Sequence, residues 1–297
     1  MSKILFTLRY GLGNVVQSIP AYLSLCGKHD VTAVYEKIYP TDSVSNAGFF
    51  PVHVEEVDIV TCSEMSKAYD YTVNLPFGLV ADKNHNFVRD ALDGISELDS
   101  EVERNMKYCE HFNCTKDIIR GKVASKPSEG FDDRKYVILH NGSLDNDSWR
   151  MKKYRMFERL ALLIKRELGL EVASIGSEDE YIKGTINLTG KELLESSAYI
   201  ENCKYYIGTD SGMYHIAGYL EVPGTVLFTA TSVTKNWDKN FHHTIEPIKQ
   251  DTCKYGQWGY HWHPACGECR QTTLYHPCQT IDPWKILKKV AGALSAK

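Results

Sequence analysis

The chain twice repeats the order strand, glycine turn, helix, strand, and no other feature constrains its fold as strongly. The apolar run 4–8 meets the turn Gly11-Leu12-Gly13 at once, then a stretch at 15–25 with apolar residues at helical spacing, then a strand at 31–35. Such a unit implies a parallel sheet. Further strands are expected at 57–60 and 71–75, and a helix over about 90–109. Between 122 and 135 the sequence turns polar around Pro127, Ser128 and Gly130, which places a domain boundary there. The pattern then restarts with a strand at 136–140, the loop Asn141-Gly142-Ser143, and an amphipathic helix at 157–168 ended by Gly169. A strand at 172–175 ends in Gly176-Ser177. Helix 193–200, strand 205–207, helix 213–220, strand 225–228 and a terminal helix at 283–296 complete the series. This alternation predicts an α/β fold of two Rossmann-like, doubly wound domains, 1–128 and 129–297, facing across a cleft.

Composition narrows the function classes. With 43% hydrophobic and 24% charged residues in 297, the chain is an ordinary globular one, long enough for two such domains. Its net charge of −4 gives no sign of a nucleic-acid-binding domain, although a local basic cleft stays open. The apolar part of the N-terminus is too short for a signal peptide, and no uncharged apolar run reaches the roughly 20 residues of a membrane span. A cytoplasmic protein is expected. Its nine cysteines should then be reduced or metal-bound.

The strongest local signal is YYIGTDSGMYHIAGYLEVPGTVLF, residues 205–228. A strand runs into Asp210-Ser211-Gly212 and a helix follows at once. Ser211 suits an N-cap, Gly212 permits close approach to the backbone, and His215 lies one turn in, able to point back at the site. Free amides of that first turn, with the helix dipole, favour a diphosphate. The bland alternative is an ordinary strand–loop–helix connection. A hydrolase elbow is excluded, because Gly208 and Ser211 are two residues apart where G-x-S-x-G needs one. The Gly11-x-Gly13 loop half-matches a dinucleotide fingerprint: Val16 takes the place of the third glycine, while Glu36 stands where an NAD-binding acid belongs.

Cys253, Cys266, Cys269 and Cys278 lie within 26 residues, interleaved with His261, His263 and His276. This Cys-rich segment, 253–278, suits a closed tetrahedral structural zinc site, with packed reduced thiols as the alternative. Trp258, Tyr260 and Trp262 in the same segment are either packing anchors or faces for a sugar or base.

Five segments in order resemble glycosyltransferase family 9, the heptosyltransferase family: LRYGLGNVVQSIPAYLSL, HNGSLDNDSWRMKKYRMFERLA, SIGSEDE, LTGKELLESSAYIENCKYYIG and GTDSGMYHIAGYLEVPGTVLF. The resemblance implies a GT-B architecture and an inverting, metal-independent transfer from a nucleotide diphosphate sugar to a hydroxyl, with no cofactor required for catalysis. A glycan, lipid-linked glycan or lipopolysaccharide-type molecule is the expected acceptor partner. On this likeness Asp210, Ser211, Gly212, Met213 and His215 hold the donor. Asn141, Gly142, Ser143, Gly176 and Ser177 line its other side, and Gly11 and Gly13 face the cleft from the N-terminal domain. Two departures matter. The residue after the second glycine of the first loop is Asn14 instead of the family's aspartate, implied to be the general base, and an amide cannot accept the acceptor's proton. Asp42, Asp82 and Asp145 are the alternative bases. Asp147-Ser148 stands where a basic residue is expected, so Arg150, Lys152 or Lys153 would supply charge to the diphosphate. Transfer to another acceptor such as a modified DNA base, a dinucleotide-dependent oxidoreductase, and a silent sugar-nucleotide-binding module are the competing readings.

Overall fold

The computed structural model describes residues 1–38, 44–74, 79–82, 84, 99–115, 117–121, 136–142, 152–229, 231–249 and 279–295. The chain divides into two compact units, Met1–Ala124 and Ser125–Lys297. The boundary expected at 128/129 falls in 122–135, outside the described residues.

In the first unit, β1 (Lys3–Leu8), α1 (Leu12–Cys26), β2 (Asp30–Lys37), β3 (Glu55–Asp58), α2 (Ile59–Ser66), β4 (Tyr71–Asn74), β5 (Leu79–Asp82) and α3 (Glu101–His111) follow in order. The sheet runs β3-β2-β1-β4-β5, parallel except for β5 against β4. Ile4, Leu5, Phe6 and Leu8 are wholly buried, because helices cover a doubly wound sheet. The strand expected at 57–60 stops at Asp58. The Asp58 carboxylate accepts from the Thr61 amide at 2.6 Å and caps α2, so Ile59 and Val60 become exposed helix residues despite their β-branched side chains. Ser100 likewise accepts from the Glu103 amide at 3.1 Å and starts α3 at Glu101; the stretch 90–98 of the expected helix is outside the described residues.

Helices α1 and α3 pack side by side and run parallel. Gln17 meets Glu101 and Asn105 at one end, and the Ala21 carbonyl meets Cys109 further along. Both N-termini therefore stand at the edge where β1 ends.

The second unit comprises β6 (Tyr136–His140), α4 (Phe157–Leu168), β7 (Glu171–Ser174), β8 (Ile186–Asn187), α5 (Leu193–Glu201), β9 (Tyr205–Thr209), α6 (Gly212–Tyr219), β10 (Gly224–Phe228), α7 (Val233–Asn236), β11 (Ile245–Lys249) and α8 (Pro283–Ser295). Its sheet is wholly parallel in the order β11-β10-β9-β6-β7-β8. This is the Rossmann order, with the chain reversing its winding between β6 and β9. Every residue of β6, β9 and β10 is buried. Against this sheet α4 and α8 bury Leu160, Ile164, Ile286 and Val290. Gly169, at φ +64, stops α4 by donating to the Lys165 carbonyl.

Candidate functional site

In an open parallel sheet, ligands bind beyond the carboxyl ends of the strands where the winding reverses. In the second unit that point lies between β6 and β9, whose His140 and Gly208 are register partners. The loops leaving these strands carry Asn141-Gly142 and Asp210-Ser211-Gly212.

Beside them, His140 is the hub of one buried network. Its Nδ1 lies 3.1 Å from Ser211 Oγ and 3.4 Å from the Tyr206 hydroxyl, and its Nε2 lies 3.4 Å from Glu180 Oε2. Two glycines make this possible. A Cβ on Gly142 would fall 2.1 Å from the His140 ring, and one on Gly208 would fall 2.2 Å from the Tyr206 hydroxyl. Glu180 also accepts from the Ser177 amide at 2.9 Å. Burial alone would raise its carboxyl, but the His140 ring and the Ser177 amide outweigh burial and hold it at about 2. Gly176 adopts φ +126, where a Cβ would lie 2.1 Å from Glu180 Oε2.

Asp210 anchors a second network. Lys152 Nζ is 3.1 Å from Asp210 Oδ2, and Thr231 Oγ1 donates to the same oxygen at 2.5 Å. Of the basic residues proposed to supply charge, Lys152 reaches the loop; Arg150 lies outside the described residues. A third network starts at His215, buried in the second turn-half of α6, with Nδ1 2.9 Å from His242 Nε2.

The expected N-cap role of Ser211 is corrected. Ser211 occupies the cap position in extended backbone, but its hydroxyl makes no cap bond; it donates to the Thr209 carbonyl and meets His140 instead. The first-turn amides are thus not spent on that side chain. Gly212 and Met213 open the helix, half-buried. Asn141 directs its side chain away from the loop, exchanging two bonds with the backbone of Tyr154 at 2.8 and 3.1 Å. Ser177 is exposed beside the network. Ser143, Asp145 and the four cysteines Cys253, Cys266, Cys269 and Cys278 lie outside the described residues, as does Asp42.

In the first unit, Gly11 precedes α1 in extended backbone, with open space where a Cβ would be, and Gly13 follows within its first turn. Asn14 is half-buried there, its amide bonded to the Gly11 carbonyl at 3.0 Å. Asp82 does not reach this loop. It pairs with Tyr71, the first residue of β4, at the opposite edge of the sheet from the end of β1. Glu36 is not poised as a nucleotide-binding acid, because it is buried and takes two bonds from Arg9 at 2.5 and 2.8 Å. Glu101 approaches it through Gln17, whose Nε2 donates both to Glu101 Oε2 at 3.2 Å and to the Gly13 carbonyl at 3.3 Å. Only the packing of α3 on α1 brings this carboxylate there, so no local motif marks it.

Two Rossmann-like α/β units, with polar loops at the winding reversal of the second, are the parts of a GT-B fold. The chain belongs to glycosyltransferase family 9 (heptosyltransferase), whose model matches residues 97–256, more than half of it. Three solved structures are similar. The family 9 glycosyltransferase of Veillonella parvula is 14% identical, with TM-score 0.68 over 100% of this chain and 98% of that one. The E. coli ADP-heptose lipopolysaccharide heptosyltransferase II is 15% identical, with TM-score 0.67 over 99% of each. The iron-containing dodecameric heptosyltransferase TibC of enterotoxigenic E. coli, in complex with ADP-D-β-D-heptose, is 12% identical, with TM-score 0.67 over 99% of this chain and 76% of its own. No curated protein matches by sequence at a significant level. Among the described residues no group of three or more His, Cys, Asp or Glu is poised to hold a metal ion, and no helix is long and apolar enough to cross a membrane.

Proposed function

We propose that the protein is an inverting, metal-independent glycosyltransferase that transfers a sugar from a nucleotide diphosphate donor to a hydroxyl of a glycan or lipid-linked glycan. The observation that carries this reading is the convergence of Gly142, Gly176, Asp210, Ser211 and Lys152 at the winding reversal of the second sheet, where α6 begins. Its first-turn amides and Lys152 together supply the positive charge that a departing diphosphate needs. A metal is not required for that task. Residues 129–297 act as the donor domain and 1–128 as the acceptor domain.

In the transfer, the acceptor hydroxyl loses its proton to a carboxylate and its oxygen bonds to the anomeric carbon. The bond from that carbon to the diphosphate oxygen breaks, and the electron pair leaves with the nucleotide. Asn14 cannot take the proton; Glu101, beside the same loop, is the proton acceptor in this reading. Adenine is a reasonable first base to try, since two of the similar proteins are named for ADP-heptose. The cytoplasm suits five free cysteines among the described residues.

A thermal-shift screen against nucleoside diphosphates and their sugars tests the reading. A ligand at 100 times its Kd stabilises a fold by about 2.7 kcal/mol. A selective rise in Tm with one nucleotide sugar, lost in Asp210→Ala, is expected; a response to NAD or NADP alone would overturn it in favour of an oxidoreductase.

The thiols Cys253, Cys266, Cys269 and Cys278 fit a closed tetrathiolate centre by number and type, for zinc or for iron, the metal named for TibC. Such a centre would be structural. Metal analysis of the purified protein and of Cys266→Ser tests it: one equivalent is expected in the first and none in the second.

A further inference from the structure

A second histidine stands behind the donor helix. His215 Nδ1 lies 2.9 Å from Nε2 of His242, in the loop between α7 and β11. On the far side of that ring, the Asp238 backbone N–H donates to His242 Nδ1 at 3.0 Å. An amide N–H can only donate, so this nitrogen must present a lone pair. The Asp238 carbonyl also lies 3.2 Å from Nδ1 and keeps a second lone pair beside the bond it accepts from the His242 amide at 2.8 Å, but a proton on Nδ1 sent to it would take this acceptor from the Asp238 N–H. A proton on Nδ1 would point one N–H at another. The neutral His242 ring therefore carries its proton on Nε2 and donates it to His215 Nδ1. His215 must then carry its own proton on Nε2.

Burial drives both imidazoles well below their ordinary pKa, helped at His215 by Lys152 and at His242 by His215; Asp238 and Asp210 pull His242 the other way without prevailing. The packing fixes both rings. The Tyr214 ring lies 3.9 Å from that of His215 and stacks on that of His242 at 4.9 Å between centroids. Gly218 clears the remaining space, since a Cβ there would come within 2.7 Å of His242 Cδ2.

We infer that His242 is a positioning residue: it locks His215 as a neutral imidazole whose Nε2–H is the hydrogen-bond donor offered to the bound diphosphate. The inference rests on the donor-site reading above. Lys152 brings the positive charge, and His215 adds an oriented donor that does not change its protonation during leaving-group departure.

Long-range proton–nitrogen correlation spectra of the histidine-labelled full chain test the lock directly. Both rings are expected as Nε2–H tautomers at neutral pH; an Nδ1–H form or an imidazolium at His215 overturns the inference with no variant made. His242→Leu should release the tautomer of His215. His242→Gln keeps an N–H near the place of Nε2 and should preserve it. Calorimetry with whichever of ADP or UDP binds the natural protein should show an affinity loss of about tenfold for His242→Leu and much less for His242→Gln. Equal losses in the two would reduce His242 to packing and overturn the role. If Asp210→Ala leaves nucleotide binding intact, the diphosphate half of the inference falls with the donor-site reading, whereas the spectra still decide the tautomer.

Discussion

Lys152 Nζ stands 3.1 Å from Asp210 Oδ2, and both side chains are largely shut off from solvent. The pair joins the segment before α4 to the loop that opens α6. Removing one partner of such a pair strands the other's charge, at a cost of roughly 3 kcal/mol. Lys152→Met should therefore lower the urea midpoint markedly. The double variant with Asp210→Leu should lose less than the sum of the single losses, and a strictly additive cycle would show that the two do not interact.

Acid should weaken the fold in two stages. His215 and His242 stay neutral when folded but protonate when unfolded, so their stabilisation is full above the ordinary imidazole pKa and declines as pH falls below it. Each contributes a slope of about 1.4 kcal/mol per pH unit in that range. Glu180 is held at about 2, below its ordinary value, so its stabilisation persists above the usual carboxylate range and is lost as pH falls towards 2. Urea titrations between neutral pH and pH 3 should show both limbs, with Glu180→Gln flattening the lower one alone.

Gly176 is a backbone requirement of the site. Its φ of +126 strains any other residue, and a Cβ would push Glu180 off His140. Gly176→Ala should cost about 2 kcal/mol. Calorimetric melting checks this, and an unchanged Tm would show that the loop adopts another conformation.

Thiol reactivity should follow burial. Cys62, Cys109 and Cys203 are pushed up to about 12, in each case chiefly by burial, while Cys26 is exposed. Brief iodoacetamide treatment of the native protein, read by mass spectrometry, should label Cys26 and spare the other three.

The acceptor side yields a kinetic test. Glu101→Gln should lower kcat by about a hundredfold with little change in the donor's KM. Adding Asn14→Asp to that variant returns a carboxylate to the loop and should recover part of the loss. If Glu101→Gln is as active as the natural protein, the proton goes elsewhere.

Much of this architecture was legible because the signals were local. Apolar spacing and glycine punctuation marked β1, α1, β6, α4, β9, α6 and β10, and glycosyltransferase motifs lay in their connecting loops. The elements that escaped notice are edge strands and short helices. Pro247 disguises β11, which tolerates it only as an edge strand; β8 is two residues long; and Asp58 converts the apparent strand around Ile59 and Val60 into a helix.

What the sequence determined by itself is thus the doubly wound plan and the loops that end its strands, since periodicity and turn chemistry depend on neighbours along the chain. Tertiary structure alone decided which side chains meet. His140 finds Glu180, Lys152 finds Asp210, His215 finds His242, and Gln17 finds Glu101, each across different elements. The same order of strands moved Asp82 to the far edge of its sheet. Such partnerships depend on strand order and helix packing, which fix positions in space between residues that share no local pattern.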